Sequence, residues 1–405
     1  MKIYLVGGAI RNKLLNLPIT DRDWVVVGSN QKELINLGFQ QVGKSFPVFI
    51  HPITKEEYAL ARKEKKNGIG YTGFSCQISS NIKIEEDLFR RDLTINAIAQ
   101  SIDGKIIDPY NGINDIKKRI LRHISSKFIE DPLRLLRVAR FAAMLFKKKF
   151  TIAHETINLM RKIVLNKELS TIPAERIWKE TEKALNSPAP EIFFITLKKC
   201  GALKILFPEI HQLFKIPYLK KDHQVMNFGE HSLLTLKITS SLTKKISVRF
   251  AALCHDITCY LDFKKKENNY RNKTILIEKM CQRLRIPKKI KKITKLISFF
   301  HEKIHVIDQL NVKKLIQLLN HIDCWRKPEH IQYLCIICYA DKHNKIINNP
   351  YIYKKNKFLL EAYNICKTIT SKKVKIKNLN GIEIFNKILK KRTNILSIWK
   401  KNKNF

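Results

Sequence analysis

The sequence predicts an α+β fold in which a small mixed or antiparallel sheet forms an N-terminal head and helical domains follow it. Residues 3–6 and 24–27 are short, mostly β-branched runs of strand length. Residues 10–17 have helical spacing, so the chain starts as strand, glycine turn, helix and strand. A later helix is predicted to begin at Pro132, because proline suits the first turn and apolar residues follow at helical spacing.

The glycine turn and the second strand hold the first candidate residues. Gly7 and Gly8 allow the backbone to approach a triphosphate, whose charge the following helix N-terminus and Arg11 can meet. Asp21 and Asp23 are one residue apart at the mouth of a strand, so an extended backbone directs both side chains to the same face. Either motif alone is ordinary turn chemistry. Both in one short unit predict a catalytic carboxylate pair that binds Mg²⁺ beside substrate phosphates.

These residues carry a resemblance to a known family. Gly7-Gly8-Ala9-Ile10-Arg11 with Asp21-Arg22-Asp23-Trp24 resembles the head of the class II tRNA nucleotidyltransferases, the CCA-adding enzymes and their relatives the bacterial poly(A) polymerases. The resemblance is to the multifunctional type with an HD-like C-terminal domain, and it is strongest over residues 2–141 and thinnest after residue 262. It implies that the 3′ hydroxyl of a tRNA attacks the α-phosphate of CTP twice and of ATP once, which releases pyrophosphate.

The composition supports a polyanionic partner. The 405-residue chain has a net charge of +42 and is 44% hydrophobic, so it can bury a core and attract nucleic acid first and an anionic membrane second. A lysine-rich compositional bias is the alternative source of part of this charge. No apolar segment approaches the ~20 residues of a membrane span, so we expect a cytoplasmic protein without a membrane partner. Nine scattered cysteines predict reduced thiols, with Cys335 and Cys338 in a core.

Three domains are predicted. Residues 1–120 form the catalytic head, residues 121–205 a helical neck and body for base recognition and tRNA binding, and residues 206–405 a helical HD-like domain with a basic tail. The last boundary falls at Phe207-Pro208-Glu209, where the composition shifts.

A second candidate segment is Arg90-Arg91-Asp92, with Asn96 one helical turn after the acid. Arginine holds phosphate oxygens with two parallel donors, and Asp92 and Asn96 suit hydrogen bonds to a sugar or to the arginines themselves. An exposed charged turn is the ordinary alternative. The segment matches the nucleotide-binding segment of the family, which implies that Arg91 contacts phosphate.

The predicted helix after Pro132 is the third candidate segment. Three arginines recur at three-residue steps and are expected on one face: Arg134, Arg137 and Arg140. Three apolar side chains are expected to face elsewhere: Leu133, Leu136 and Phe141. The resemblance implies that Asp131 and Arg134 form hydrogen bonds with the edge of the incoming base, because Asp accepts from an exocyclic amine and Arg donates to a ring nitrogen or carbonyl. Arg137 and Arg140 then hold phosphates or brace the pocket, and a generic RNA-facing stripe is the alternative.

Further expectations concern the surroundings of this site. Residues 46–50 and 58–62 are candidate strands, and Glu57 is the candidate for a third carboxylate beside the metal pair. Residues 63–74 are charged and glycine-rich, which predicts a hairpin or loop over the site. Residues 175–180 resemble the family's helix that supports the base pocket, with an ordinary solvated helix as the alternative.

The C-terminal half contains the outline of an HD-type metal-dependent phosphohydrolase, with His231, His255, Asp256 and His301 as its residues. The family typically has His-Asp-Leu-Gly-Lys followed by a histidine pair. This chain has Ile257, Thr258 and Cys259 after the His-Asp pair, and residues 262–273 contain no histidine. We therefore expect a degenerate site kept as a tRNA-facing scaffold, with a second divalent ion such as Ni²⁺ and phosphohydrolase activity both in doubt.

Two kinds of alternative function stay open. A poly(A) polymerase, or another RNA 3′ nucleotidyltransferase, would use the same catalytic segments, although the start of the chain at the head and the HD-like tail argue against the polymerase. The second kind of alternative is a protein with an inert head, either an HD-type phosphohydrolase or an RNA-binding scaffold. It predicts that loss of Asp21 leaves function intact.

Overall fold

The structure is a computed structural model, and it describes residues 1–43, 48–68, 73–219, 225–259, 270–343, 349–370 and 380–402. The chain divides into two compact units, Met1–Phe207 and Pro208–Phe405. The division into three domains stays a prediction. Over the described ranges, no helix combines the length and the apolar character that a bilayer crossing requires.

The first unit is built on a sheet. Its strands in chain order are β1 (Lys2–Val6), β2 (Asp23–Val27), β3 (Gln40–Val42), β4 (Val48–Ile50), β5 (Glu57–Leu60), β6 (Arg62–Lys66), β7 (Phe74–Ile78), β8 (Ala99–Ser101), β9 (Ile106–Ile107), β10 (Ile120–Leu121) and β11 (Thr151–Ile152). Seven of them form one sheet in the order β3-β4-β5-β2-β1-β8-β9. β2 pairs with β5 in parallel and with β1 in antiparallel orientation, so the sheet is mixed, as predicted.

Each face of this sheet packs against its own apolar cluster. Val25 belongs to one cluster with Tyr4 and Leu88, whereas its neighbour Val26 belongs to another with Leu34. Successive strand residues point to opposite faces, which explains why an unbroken valine run can serve both clusters. The sheet is therefore covered on both sides at its centre.

The predicted strands and hairpin correspond to observed elements at shifted bounds. Residues 46 and 47 lie outside the described residues, and β4 covers the rest of that prediction. β5 starts at Glu57, and β6 pairs with β7 as an antiparallel hairpin where a hairpin or loop was predicted. Residues 69–72 of that prediction lie outside the described residues.

The helices of the first unit are α1 (Gly8–Leu14), α2 (Gln31–Asn36), α3 (Ile84–Phe89), α4 (Gly112–Lys118), α5 (Leu133–Leu145), α6 (His154–Leu165), α7 (Ala174–Leu185), α8 (Glu191–Cys200) and α9 (Leu203–Leu206). α1 begins two residues before its predicted start, because Gly7 has a φ of +68° and turns the chain directly from β1 into the helix. At the start of α5, the Asp131 carboxylate accepts a hydrogen bond from the Leu133 backbone N–H at 3.0 Å and so caps the first helical turn.

The second unit is almost wholly helical. After α10 (Pro208–Leu213) come the paired strands β12 (Pro217–Leu219) and β13 (Val225–Asn227), and then α11 (Phe228–Leu242), α12 (Ile246–Leu253), α13 (Tyr270–Arg283), α14 (Lys288–His305), α15 (Val312–His321), α16 (Glu329–Lys342), α17 (Lys354–Lys367) and α18 (Gly381–Asn402). The predicted α+β architecture, a sheet-based head followed by helices, is confirmed. Cys335 and Cys338 are fully buried in the core of this unit, and the nine cysteines are free thiols.

Candidate active site

A cleft of about 590 Å³ opens in the first unit, and charged side chains dominate its lining. It collects residues from the glycine turn, the segment after α3 and the helix α5. The lining residues are Gly7, Gly8, Arg11, Asp23, Arg62, Glu64, Arg90, Arg91, Asp92, Asn96, Asp131, Leu133, Arg134, Arg137, Arg140, Phe141 and Arg176. The structure thus brings the seven residues predicted to bind nucleotide into one cleft with Asp23, although it contains no nucleotide and their roles stay predictions. We call this cleft the arginine cleft.

A second cleft, of about 650 Å³, adjoins it and is lined by four acids together with Arg22 and Lys55. Asp21, Asp23, Glu56 and Glu57 line this acidic cleft, and Asp23 lines both clefts. Asp23 on β2 lies directly opposite Glu57 on the parallel strand β5, so their side chains leave the same face of the sheet. The three carboxylate candidates therefore line one cleft beside the arginine cleft, with Asp23 as the shared residue.

The chemistry of the acidic cleft suits a hard divalent cation. Burial raises the pKa of Asp23, the nearby Arg91 lowers it, and the negative charge of Asp21 raises it again. A cation bound to carboxylate oxygens would relieve this repulsion, and Mg²⁺ prefers such oxygen ligands. The carboxylate groups of Asp21 and Asp23 therefore suit the Mg²⁺ ion that the resemblance implies.

The glycine turn leaves room for an arginine. Gly7 has a left-handed backbone, and a Cβ atom on it would lie 2.9 Å from Nη1 of Arg91. A side chain at this position would therefore be strained and would displace the guanidinium. Glycine is therefore required at position 7 for two reasons: the left-handed backbone of the turn and the close approach of the Arg91 side chain.

Asp87 on α3 anchors the arginine pair and was missed by the sequence analysis. Its fully buried carboxylate accepts hydrogen bonds from Arg90 at 2.8 Å, from Arg91 at 3.2 Å and from the backbone N–H of Arg62 at 3.3 Å. Burial opposes its ionisation, but the two guanidiniums outweigh burial and lower the pKa of Asp87. The spacing of three and four residues from Asp87 to the arginines was the available signal.

One nitrogen of the Arg91 guanidinium is unpaired among the described residues. Its Nη2 is bound to Asp87, whereas its buried Nε atom has no hydrogen-bond partner among the described residues. Buried N–H donors are rarely left unpaired in folded proteins. Because this Nε atom is buried, it is the charge of the Arg91 guanidinium at the cleft wall, and not the Nε donor, that suits a phosphate oxygen.

A buried polar chain crosses the arginine cleft. Arg11 Nη1 donates to Asn96 Oδ1 at 2.5 Å, Asn96 Nδ2 donates to Asp92 Oδ1 at 2.9 Å, and Arg137 Nε donates to Asp92 Oδ2 at 2.6 Å. Burial raises the pKa of Asp92, but Arg137 and the hydrogen bonds from Asn96 and Arg137 lower it far more, so the carboxyl stays ionised. Burial first, and then the charge of Arg140, lower the pKa of Arg11 to about 10, which still leaves it cationic at neutral pH.

The remaining α5 arginines are fixed by different partners. Arg134 is buried and donates to the backbone carbonyls of Lys127 at 3.1 Å and Arg90 at 2.6 Å. Arg140 Nε donates to Glu180 of α7 at 2.5 Å, and both side chains are nearly buried. The helix predicted around residues 175–180 is thus present as α7, and its residue Glu180 holds the Arg140 side chain in place.

The expectation that Leu133 and Phe141 face away from the arginines is wrong. Both line the arginine cleft, and the Phe141 ring lies 5.0, 5.7 and 4.1 Å from the guanidinium carbons of Arg11, Arg137 and Arg140. Each three-residue step turns a helix by about 300°, so the arginines drift around the axis and positions 133 and 141 fall within their arc. Phe141 is an aromatic platform for three cations.

A separate cluster of titratable side chains lies in the second unit. His231 Nε2 is 3.0 Å from Asp341 Oδ1 and 3.4 Å from Asp256 Oδ2, and His255 Nε2 is 3.1 Å from the same Asp256 oxygen. His301 Nε2 lies 3.1 Å from Asp256 Oδ1. The four HD-site residues from the sequence therefore converge, together with Asp341, which the sequence analysis missed.

The ring orientations in this cluster fit a metal site. Nδ1 of His255 lies 2.8 Å from the carbonyl of Ala252, and Nδ1 of His301 lies 3.0 Å from the carbonyl of Ile297. Because a carbonyl only accepts, each Nδ1 donates to its carbonyl, and each Nε2 is the ring atom that faces the carboxylates of the cluster. Burial lowers the pKa of His255, but Asp256 and Asp341 outweigh it and raise the value to about 9. The cluster holds the ligand types of a metal site, but the histidine pair expected after the His-Asp motif is absent from residues 262–273, so the degenerate activity stays a prediction.

Comparisons with known families agree with this domain content. Residues 3–122 match the poly A polymerase head domain, and residues 149–214 match the probable RNA and SrmB-binding site of polymerase A. Residues 228–344 match the HD domain. The chain therefore combines a head domain of the poly A polymerase type with a polymerase RNA-binding segment and an HD domain.

Solved structures with this fold include CCA-adding enzymes. The Thermotoga maritima CCA-adding enzyme complexed with tRNA-CCA is 16% identical, with a TM-score of 0.63 over 97% of this chain and 86% of that one. A CCA-adding enzyme in complex with ATP is 17% identical, with a TM-score of 0.62 over 97% and 85%. A tRNA-processing enzyme with CTP is 20% identical, with a TM-score of 0.59 over 97% and 96%. The resemblance to class II tRNA nucleotidyltransferases with an HD-like domain is confirmed, and at these identities the structural likeness establishes the fold.

Proposed function

We propose that this protein adds the sequence CCA to the 3′ end of tRNA, without a nucleic-acid template, from CTP and ATP and with release of pyrophosphate. The observation that carries the proposal is the junction of the two clefts at Asp23, which joins a carboxylate group to a set of arginines. Solved structures of the same fold are described as complexes with tRNA, CTP and ATP, which supports this choice of substrates.

The triphosphate is proposed to bind at the wall formed by Gly8, Arg11 and Arg91. Arg91 lines the cleft with its guanidinium anchored on Asp87, and Arg11 is held in place by Asn96. Arg137 and Arg140 add positive charge behind them and rest on the Phe141 ring. Preorganised cations of this kind stabilise the charge that develops on the transferred and leaving phosphates.

Asp131 and Arg134 are proposed to recognise the base. One oxygen of Asp131 accepts the cap hydrogen bond of α5, which leaves the other oxygen for an exocyclic amine. Two backbone carbonyls hold the Arg134 guanidinium and leave donors of that group for the base. Cytosine and adenine carry an exocyclic amine, N4 or N6, at the position where uracil and guanine carry a carbonyl oxygen.

Asp21 and Asp23 are the proposed ligands of Mg²⁺, with Glu57 as the candidate for a third carboxylate. When bound, the ion lowers the pKa of the attacking hydroxyl and stabilises phosphate charge. Asp23 also lies within the electrostatic reach of Arg91, so the acid side and the phosphate side of the site are coupled through this residue.

The test is to incubate the protein with tRNA that lacks its terminal nucleotides, with CTP and ATP singly and together. We expect two C additions with CTP and a final A when both nucleotides are present. Long A tracts would instead assign a poly(A) polymerase. Asp23→Asn removes a metal ligand worth several kcal/mol to the transition state, so incorporation should fall by roughly a thousandfold.

A matched control is Asp103→Asn, because Asp103 lies in the exposed turn between β8 and β9. This variant should extend tRNA at the wild-type rate. Equal rates for Asp23→Asn and Asp103→Asn would show that the head is not catalytic and would favour an RNA-binding scaffold.

A second candidate function is favoured by the cluster of the second unit. We infer that His231, His255, Asp256 and Asp341 bind a divalent ion, as their convergence supports. Such an ion activates water for phosphate ester hydrolysis. Asp341 supplies a further carboxylate to the cluster, and this favours ion binding even though the histidine pair is missing.

The second candidate is tested with 2′,3′-cyclic nucleotides and added Ni²⁺ or Mg²⁺. Phosphate ester hydrolysis that is lost in His255→Ala and kept in His321→Ala would support it, since His321 is an exposed histidine of α15. Metal binding without hydrolysis would identify a structural ion. Neither binding nor hydrolysis would restore the degenerate interpretation.

A further inference from the structure

The helix α14 has two faces of opposite character. Its buried face carries apolar side chains such as Ile293, Ile297 and Ile304, which pack in the core of the second unit. The opposite face carries lysines at helical spacing over four turns. We call this surface the α14 lysine face, and it consists of Lys288, Lys291, Lys292, Lys295 and Lys303.

The lysine face borders a continuous groove. Two adjoining hollows of about 780 and 250 Å³ lie along it, and Lys288 and Lys291 line both. Arg285 extends the basic lining beyond the start of the helix, and His321 of α15 lies at the other side. The half-buried ring of Phe299 stands among the lysines, with Lys303 Nζ 3.8 Å from its centroid. Basic residues interleaved with an aromatic ring are typical of nucleic-acid surfaces.

Positive charge is in excess on this face. Lys295 is paired with Glu278 of α13 at 2.6 Å, and within the helix one acid, Glu302, falls on the lysine side. From Lys288 to Lys303 the face spans about 22 Å at 1.5 Å per residue. This length matches roughly six phosphates of one strand in a double-helical nucleic acid.

The other polyanionic surface, an anionic membrane, fits less well. A helix that lies in a membrane interface buries its apolar face in the lipid. The apolar face of α14 already packs in the protein core, so only its charged face is available to contact a partner. A groove with basic walls suits a backbone of phosphates.

We propose that the α14 lysine face binds the phosphate backbone of the tRNA substrate. The proposal rests on the proposed function for the identity of the RNA. It assigns an RNA contact to the HD unit, outside the segment that matches a probable RNA-binding site at residues 149–214. Contacts of this kind add affinity that is independent of base sequence and depends strongly on salt.

The experiment compares two triple variants of the full chain. Lys288→Gln/Lys291→Gln/Lys292→Gln removes three charges from the face and leaves the Lys295 ion pair in place. The control, Lys237→Gln/Lys313→Gln/Lys314→Gln, removes three charges from exposed lysines on α11 and α15 of the same unit. The control matches the change in net charge, so a general lysine bias would affect both variants equally.

The measurement is tRNA binding as a function of salt concentration. Each phosphate that the protein no longer neutralises reduces the slope of log affinity against log salt by roughly 0.7 to 0.9, so the slope of the face variant should fall by about 2 to 3 and that of the control by close to zero. Nucleotide addition at saturating tRNA should keep its rate in both. Equal slopes in the two variants would overturn the proposal. So would loss of binding to phosphatidylserine vesicles with an unchanged tRNA slope, which would assign the face to a lipid surface.

The outcomes also separate this proposal from the proposed function. The salt slope is a binding measurement and needs no nucleotide transfer. A wild-type chain that never extends tRNA would refute CCA addition. The salt dependence of tRNA binding would still show whether the α14 lysine face contacts phosphates. A wild-type chain that extends tRNA, with equal slopes in the variants, would refute only the lysine face.

Discussion

Substitution of Asp92 by asparagine perturbs the centre of the arginine cleft. Asp92 is 4% exposed and accepts hydrogen bonds from Arg137 at 2.6 Å, from Asn96 at 2.9 Å and from the Leu93 backbone N–H at 2.9 Å. Removal of one partner from a fully buried ion pair destabilises a protein by about 3–5 kcal/mol. The Arg137 side chain is 36% exposed, so water compensates part of its lost charge, and we expect a loss of about 2 kcal/mol.

The assay is urea unfolding, in which this loss should move the midpoint of the first unit by about 1 M. Its pH dependence has a definite sign. Because the folded pKa of Asp92 is lowered, its stabilising contribution is complete above the ordinary carboxyl pKa of about 4 and disappears as the pH falls toward the folded value. Wild type and Asp92→Asn should therefore converge in acid.

The same substitution should affect nucleotide binding, because Asp92 positions Arg137 directly and Arg11 through Asn96. We expect the KM for CTP to rise about tenfold, which corresponds to about 1.4 kcal/mol. Asp115→Asn is the matched control, since Asp115 is equally buried and bound to Thr94 and Arg122 but does not line the cleft. The control should lose stability and keep its KM. Equal KM changes in both variants, or an Asp92→Asn protein as stable as wild type in neutral buffer, would refute the reasoning.

Three further substitutions test other parts of the structure. Asp87→Asn removes the shared anchor of Arg90 and Arg91, so kcat/KM for CTP should fall at least tenfold mainly through KM; an unchanged KM would mean that the arginines are held by other contacts. Gly7→Ala introduces left-handed strain of about 1–2 kcal/mol and a Cβ against Arg91, so calorimetry should find weaker CTP binding, whereas tRNA affinity stays constant. Asp341→Asn should weaken Ni²⁺ binding by the second unit more than tenfold in the same type of titration; wild-type affinity would exclude Asp341 as a ligand.

The candidate site was largely predictable where its chemistry is local. Gly7, Gly8 and Arg11 are within one turn of each other, and Asp21 and Asp23 are within one strand entrance. Their spacing alone indicated phosphate and metal binding, and the resemblance connected them to Arg91, Asp131 and the α5 arginines, all of which line the clefts.

The errors and omissions come from helix geometry and from long-range packing. Phe141 was expected to face away because arginines at three-residue steps were treated as one straight face, although such positions drift around the helix. Glu180 was left between a pocket helix and a solvated helix, because only the contact of α7 with α5 brings it to Arg140. Asp341 lies far along the chain from the His-Asp pair, and no local pattern marks it.

By itself, the sequence determined the strand, glycine turn, helix and strand that start the chain, the helix after Pro132 and the chemical character of each candidate segment, because periodicity and glycine turns act over a few residues. Only the tertiary structure decided which distant groups come together: Asp23 with Glu57 across parallel strands, Arg140 with Glu180 across two helices, and both Asp256 and Asp341 at the ring of His231. The physical reason is that such meetings depend on how whole elements pack and in which register, and residue spacing within one segment does not encode either.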